Sequence, residues 1–327
     1  MRLQPEAGEA HLALAIYHYN GFRDYERARG ELAIARRTLP NNADVFLYTG
    51  FVDRREGHWE EATRNMERGL ELDPRNFFIL QQLALAYGSQ HRYTDEARTY
   101  DRALTIVPAD PQSRILRARV ALDWRADIKP FQATLATLVA ENPSIAPDVD
   151  PPVYAMCERT AAAAARSLTN YPREGVVNNG VNYPYAYWQG AVALCQGDSA
   201  KARTPFTAAR MEVEKTVESQ PNFAAALSLL GIIDAGLKRK EEALREGRRA
   251  CELLPVSKDA IDGADIAINL AQIYAWSGEK DLAIEQIAAV ERVPNALSYG
   301  LLKLHPYWDH LRGDPRFEKI VASLAPK

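Results

Sequence analysis

The sequence predicts an all-α protein built from repeated helix pairs, and two observations carry that prediction. Pro40, Pro74 and Pro108 follow one another at intervals of 34 residues, a length that accommodates two helices and their turns. Between these prolines, apolar residues recur at the three- and four-residue spacing of amphipathic helices. We therefore expect at least twelve helices and no sheet.

The stretch 43–76 is the clearest repeat. Two amphipathic segments flank a tight break at Gly57, and a proline ends the second segment. Its small residues stand where two helices must approach closely: Gly50, Ala62 and Gly69. This unit resembles a tetratricopeptide repeat, a helix–turn–helix of 34 residues. The resemblance implies a right-handed α-α superhelix of stacked repeats.

Interruptions of the 34-residue spacing divide the chain into four parts. We expect an N-terminal repeat block over residues 1–143, which begins inside a truncated repeat because residues 2–8 match only a repeat's tail. An irregular joint with one helix follows at 144–184, then a C-terminal repeat block at 185–295. Residues 296–327 form a helical cap, since the last repeat of a solenoid must cover its apolar face. The truncated start leads us to expect a fragment of a longer protein.

Three places depart from the repeat. Glu96 falls in the slot that Ala62 holds, so we expect either a local register adjustment or a carboxylate near solvent, because burying an unpaired charge is costly. A second helix should begin near Pro130, since proline is tolerated in a first helical turn. The proline-rich segment 144–154 is predicted not to be helical, with one helix following over residues 155–169.

Composition and charge narrow the function classes. The formal net charge of −3 does not suit a nucleic-acid binder, and no apolar run is long enough to cross a bilayer. The first ten residues lack the apolar core of a signal peptide. The odd number of cysteines and the lack of a C-x-x-C pair favour small buried hydrophobic residues over disulfides or zinc ligands. We expect a cytoplasmic protein with no membrane insertion.

Two segments, 238–260 and 301–324, resemble the carboxy-terminal repeat regions of bacterial signalling proteins. In those proteins, the repeats follow an adenylate-cyclase-type catalytic domain, a winged-helix DNA-binding domain or a protein-kinase domain. The resemblance implies a sensory, docking or assembly module.

No catalytic motif is present in the sequence. It contains no Gly-rich phosphate loop, no H-E-x-x-H pair and no G-x-S-x-G elbow. His11 and His18 can share a helix face, but no third metal ligand is suggested. We therefore expect no enzymatic activity, no cofactor and no metal, with an enzyme domain on a helical-repeat fold as a remote alternative.

Two further groups have two interpretations each. A basic cluster is either a solvated, ion-paired helix face or a site for an anionic partner: Lys238, Arg239, Lys240, Arg245, Arg248 and Arg249. An aromatic run either fills the joint between the blocks or forms an exposed recognition patch: Tyr183, Tyr185, Tyr187 and Trp188. The loop-like residues 170–184 include the start of this run.

The candidate binding surface is a stripe on successive first helices, beyond what the packing face requires. Its members are Leu12, Ile16, Tyr19, Leu47, Phe51, Arg54, Gln81, Leu85, Ile115 and Arg119. The stripe lacks the Lys/Asn pattern of repeats that clamp a terminal carboxylate, so an apolar or helical segment of a protein or peptide suits it better. We expect Phe51 to be a solvent-facing anchor and Arg119 a planar contact. Alternatives are packing within the array or against another domain, and homo-oligomerisation.

Overall fold

The computed structural model describes residues 7–326, so the truncated repeat predicted at 2–8 lies almost wholly outside the described residues. This part of the chain contains nineteen α-helices and one two-stranded β-hairpin. Most of the longer helices pack in successive pairs joined by short turns. The predicted all-α class, with most of the longer helices packed in successive pairs, is confirmed, but the expectation of no sheet was wrong.

The chain divides into two compact units. Unit 1 contains the residues up to Ser113 together with the short segment Ser257–Ile261. Its helices form three pairs: α1 (Gly8–Tyr17) with α2 (Tyr25–Thr38), α3 (Ala43–Arg55) with α4 (Trp59–Leu72), and α5 (Phe77–Ser89) with α6 (Tyr93–Ile106). A π-helical turn, His18–Phe22, extends the first helix of the first pair.

Caps and close packing explain the pairs of unit 1. The side chains of Asn42 and Asn76 accept hydrogen bonds from backbone N–H groups in the first turns of α3 and α5. A Cβ atom on Gly50 would lie 2.9 Å from the Ala62 carbonyl oxygen. Only a residue without a side chain lets α3 approach α4 this closely.

Glu96 keeps the strict repeat register and is buried, with 2% of its surface exposed. Both outcomes that we expected for this residue, a shifted register or a carboxylate near solvent, were wrong. The reason is Gly88, because a Cβ there would lie 2.7 Å from the Glu96 carboxyl group. The missing side chain of α5 leaves the space that the glutamate fills.

Unit 2 contains Arg114–Val256 and Asp262–Lys327, and the boundary between the units falls within α7 (Pro111–Arg125). The helices that follow α7 are α8 (Lys129–Glu141), α9 (Ala146–Val149), α10 (Pro152–Cys157), α11 (Ala161–Asn170), α12 (Tyr185–Cys195), α13 (Ser199–Ser219), α14 (Ala224–Gly236), α15 (Lys240–Leu253), α16 (Asp262–Trp276), α17 (Lys280–Val290), α18 (Tyr299–Leu304) and α19 (Pro315–Ser323). A 3₁₀ turn, Pro306–Leu311, lies between the last two.

The segment between α8 and α12 differs from its prediction. It holds three short helices rather than one, because Pro147 and Pro152 stand in first helical turns, where proline is tolerated. The expected helix over residues 155–169 is broken at Arg159, whose φ is 55°. The loop predicted at 170–184 contains an antiparallel hairpin of β1 (Val176–Asn178) and β2 (Val181–Tyr183). The predicted start of α8 near Pro130 is confirmed.

Aromatic residues fill the core of unit 2. Tyr187 is 2% exposed and contacts the rings of Tyr183, Trp188 and Phe206. Its hydroxyl lies 3.5 Å from that of Tyr307 in the C-terminal tail. The packing interpretation of the aromatic run is therefore the one that the structure supports.

Candidate protein-binding face

The ten predicted contact residues differ in burial. Leu47, Phe51 and Ile115 are buried, and the expectation that Phe51 faces solvent was wrong, since it is 5% exposed. The others are partly exposed: Leu12, Ile16, Tyr19, Arg54, Gln81, Leu85 and Arg119. Their contact with a partner stays a prediction.

The ring of Phe51 is buried because an aromatic cluster surrounds it. Its centroid lies 5.9 Å from Tyr19, 5.2 Å from Tyr48 and 6.2 Å from Phe78. The guanidinium carbon of Arg54 lies 4.5 Å from the Phe51 centroid. We call these five residues the aromatic face of unit 1; the structure thus brings together Tyr19, Phe51 and Arg54 from the predicted set.

Helix geometry explains the cluster. Tyr48, Phe51 and Arg54 follow one another at three-residue spacing on α3, so they share one helix face. Tyr19 comes from the π-helical turn after α1, and Phe78 is the second residue of α5. Successive first helices therefore supply the cluster. Sequence spacing identified the shared face, but it did not show that neighbouring rings cover Phe51.

Exposure within the aromatic face is uneven. Phe78 is 48% exposed, while the Phe51 ring that it contacts is buried. Phe78 was not predicted as a contact residue, although it stands beside Phe77 at the start of α5 and two adjacent residues of a helix cannot both point to the same face. An exposed aromatic residue that packs on a cluster of other rings makes this face a candidate interaction surface.

Arg54 carries a positive charge into this cluster. Its Nε atom is buried and has no hydrogen-bond partner, and none of its described contacts is a carboxylate. Burial lowers the pKa of the guanidinium, and the positive charge of Arg55 acts in the same direction, while the Tyr19 hydroxyl opposes them. The ring of Phe51 offers Arg54 a cation–π contact, worth about 1 kcal/mol.

Asp259 supports the aromatic face from within unit 1. It is 1% exposed, accepts a hydrogen bond from the Tyr25 hydroxyl at 2.6 Å and pairs with Nη1 of Arg55 at 3.0 Å. The Ala260 N–H also donates to the Arg55 carbonyl oxygen at 2.7 Å. This contact was not predicted from the sequence, because nothing local signals a partner 204 residues away in the chain.

The polar atoms of Gln81 and Arg119 are engaged within their own units. The Gln81 amide donates to Asp110 and Ser113, at 3.2 and 3.0 Å. In unit 2, Arg119 donates to the Tyr154 hydroxyl at 2.8 Å and pairs with an aspartate one turn away. These two side chains therefore contribute to packing as well as to the predicted stripe.

One cluster in unit 1 has the composition of a metal site. Asp53, Glu56 and His58 each place a potential ligand atom within 4.8 Å of the others. The guanidinium of Arg29, however, donates to the carboxylates of both Asp53 and Glu56. Because this cation already pairs with both carboxylates, the cluster is an ion-pair network.

The basic cluster of α15 is largely paired. Arg239 contacts Asp234 and Glu242, Lys240 pairs with Glu279, and Arg249 pairs with Glu252. This pairing favours the solvated-face interpretation.

No protein-family model and no curated protein matches this chain. Solved structures resemble it only loosely. A tetratricopeptide repeat protein from Parabacteroides merdae is 12% identical, with 96% of this chain and 97% of that chain covered and a TM-score of 0.42. PilF of Pseudomonas aeruginosa is 14% identical, with coverages of 97% and 98% and a TM-score of 0.31.

A third resemblance is to the human IFIT1 dimer with PPP-AAAA, at 17% identity and a TM-score of 0.43. It covers 77% of this chain and 56% of that chain. Among the described residues, no helix combines the length and apolar character needed to cross a membrane.

Proposed function

We propose that this chain is a protein-binding scaffold and that the aromatic face of unit 1 holds an apolar segment of its partner. The observation that carries this proposal is Phe78, which is 48% exposed and packs edge-on against the buried Phe51 ring. An exposed ring on a rigid apolar base loses little conformational entropy on binding, as interface anchors do.

Partly exposed residues of neighbouring helices extend the proposed surface. Leu12 and Ile16 lie on α1, and Gln81 and Leu85 lie on α5. These positions are one helical turn apart on their own helices, so an extended or helical segment can contact both members of each pair.

A peptide-display selection tests the proposal. A library of random 16-residue peptides is selected on the whole chain and counter-selected on the Phe78→Ser variant. We expect amphipathic sequences that bind wild type and lose at least tenfold in affinity with Phe78→Ser. The control is Met211→Ser, which removes another exposed apolar side chain, 61% exposed in unit 2. Peptides with equal affinity for all three proteins would contradict the proposal.

Homo-oligomerisation through the aromatic face is the alternative from another class. Light scattering over a range of concentrations separates the two, because self-association raises the apparent mass with concentration. A dimer that Phe78→Ser abolishes would favour the alternative.

We also propose a role as a docking module in a larger bacterial signalling protein, without catalysis by these repeats. The resemblance of segments 238–260 and 301–324 to signalling-protein repeats supports this role. A cytoplasmic location is part of the proposal, and three unpaired cysteines are consistent with it. Turnover of any substrate by the purified chain would contradict the non-catalytic assignment.

A further inference from the structure

Arg54 differs from neighbouring arginines of unit 1 in how its charge is balanced. Arg55 pairs with both carboxylate oxygens of Asp259, and Arg29 pairs with Asp53. Arg54 is instead stacked on the Phe51 ring at 4.5 Å, with its Nε buried and without a hydrogen-bond partner. The aromatic face thus contains a cation, Arg54, that has no carboxylate among its described contacts.

An uncompensated guanidinium in an apolar site attracts an anion more strongly than one in open water. The interaction energy of two charges rises as the effective dielectric constant falls, and burial of the aromatic rings lowers it here. Guanidinium groups pair especially well with carboxylates, through charge-assisted hydrogen bonds. The Nε–H of Arg54 has no hydrogen-bond partner and supplies one such donor, and the Tyr19 hydroxyl is the polar group already beside the guanidinium.

We propose, on the basis of the function proposed above, that the partner segment carries an aspartate or glutamate whose carboxylate binds Arg54. Apolar residues on either side of that acid cover Phe78 and the edge of the Phe51 ring. A singly charged group fits better than a phosphate, because Arg54 is the one cation among the five residues of the aromatic face and a phosphate favours several basic groups. The partner is therefore an apolar segment with an acidic residue within it.

A pair of small probes tests the charge preference directly. The whole chain, labelled with ¹⁵N-arginine, is titrated with 3-phenylpropionate and separately with the uncharged 3-phenylpropanamide. The Nε–H resonance of Arg54 is assigned by its loss in Arg54→Lys. We expect 3-phenylpropionate to shift this resonance saturably, with at least tenfold higher affinity than the amide.

Arg68 provides the matched control for this titration. It also lies over a phenylalanine ring of unit 1, Phe46, but it is paired with Glu71 and exposed. Its resonance should shift little with either probe. Equal shifts from the acid and the amide, or equal shifts at Arg54 and Arg68, would overturn the inference.

Selected peptides separate this inference from the proposed function. In a peptide that requires Phe78, changing its acidic residue to the matching amide should cost at least tenfold in affinity for wild type. The same change should cost less than threefold in Arg54→Gln. If peptides require Phe78 but bind equally well with the amide, the proposed binding function is supported and the role of Arg54 is overturned. Selective 3-phenylpropionate binding at Arg54, without peptides that require Phe78, supports the anion site and overturns the scaffold proposal.

Discussion

The carboxyl groups of Glu246 and Asp234 lie against each other inside unit 2, twelve residues apart in the sequence. In unit 1, Asn65 holds the corresponding position beside Asp53, also twelve residues away, and donates a hydrogen bond of 2.7 Å to it. Each aspartate also accepts a hydrogen bond from an arginine 24 residues before it, at 2.8 Å. The two units therefore share a buried polar arrangement in which a carboxyl replaces an amide.

Because Glu246 stands where unit 1 has the amide of Asn65, we predict that the stability of unit 2 depends on pH. Burial and the charge of Asp234 raise the pKa of Glu246 from 4.5 to about 8, although Arg245 and Arg210 oppose the shift. Between pH 4.5 and 8, Glu246 therefore keeps its proton in the folded state but has lost it in the unfolded state. As a result, the stability from this group is complete below pH 4.5 and is lost as the pH rises through 8.

Glu246→Gln should remove most of this dependence, because the amide keeps a donor toward Asp234 and does not titrate. Urea unfolding at pH 5, 7 and 8.5 measures the change. As the pH rises, the free energy of unfolding of wild type should fall by about 1.4 kcal/mol for each unit by which the pKa of Glu246 is higher in the folded than in the unfolded state. Glu241→Gln, on the exposed side of α15, is the control. Parallel pH profiles of wild type and Glu246→Gln would contradict the assignment.

The helix pairs were predictable from the sequence because their signals are local. The proline spacing and the small residue Gly50 follow from the geometry of a single pair. The arrangement around Asp53 and Asp234 was not predicted, since an acid on a helix is read as exposed unless its partner is known. Phe51 was misjudged for a related reason, because helix spacing identifies a shared face but not the rings that other helices place over it.

Substitutions of Phe51 and Phe78 should separate packing from binding. Phe51→Ala should lower the free energy of unfolding by about 3–5 kcal/mol, because it leaves a cavity among the surrounding rings. Phe78→Ala should cost about 1 kcal/mol or less, because half of its surface is already exposed. Thermal melts measure both. Similar losses of stability in the two variants would contradict the assignment of Phe51 to packing and of Phe78 to the exposed surface.

Removal of Asp259 should destabilise unit 1. Asp259→Ala leaves Arg55 without its bidentate partner and the Tyr25 hydroxyl without its acceptor. Breaking a buried ion pair on one side costs about 3 kcal/mol. Urea unfolding should show this loss in Asp259→Ala but not in Ser257→Ala, which lies at an exposed position of the same segment. Equal stability of Asp259→Ala and wild type would mean that the segment does not stabilise unit 1.

The C-terminal tail should act as a cap. Trp308, Leu311 and Phe317 are each no more than 3% exposed and belong to the same core as Ile287 of α17. A chain ending at Asn295 would expose these contacts, so we expect self-association and a lower melting temperature. Light scattering and a thermal melt measure the two effects. A monomer that melts like wild type would refute the capping role.

Calorimetric titration of one selected peptide tests the binding face most directly. The peptide is titrated into wild type, Phe78→Ser and Met211→Ser, after thermal melts show that all three are folded. Binding through the aromatic face predicts that affinity falls at least tenfold with Phe78→Ser and less than twofold with Met211→Ser. An unchanged affinity with Phe78→Ser, or an equal loss in both variants, would contradict the assignment of this face as the protein-binding site.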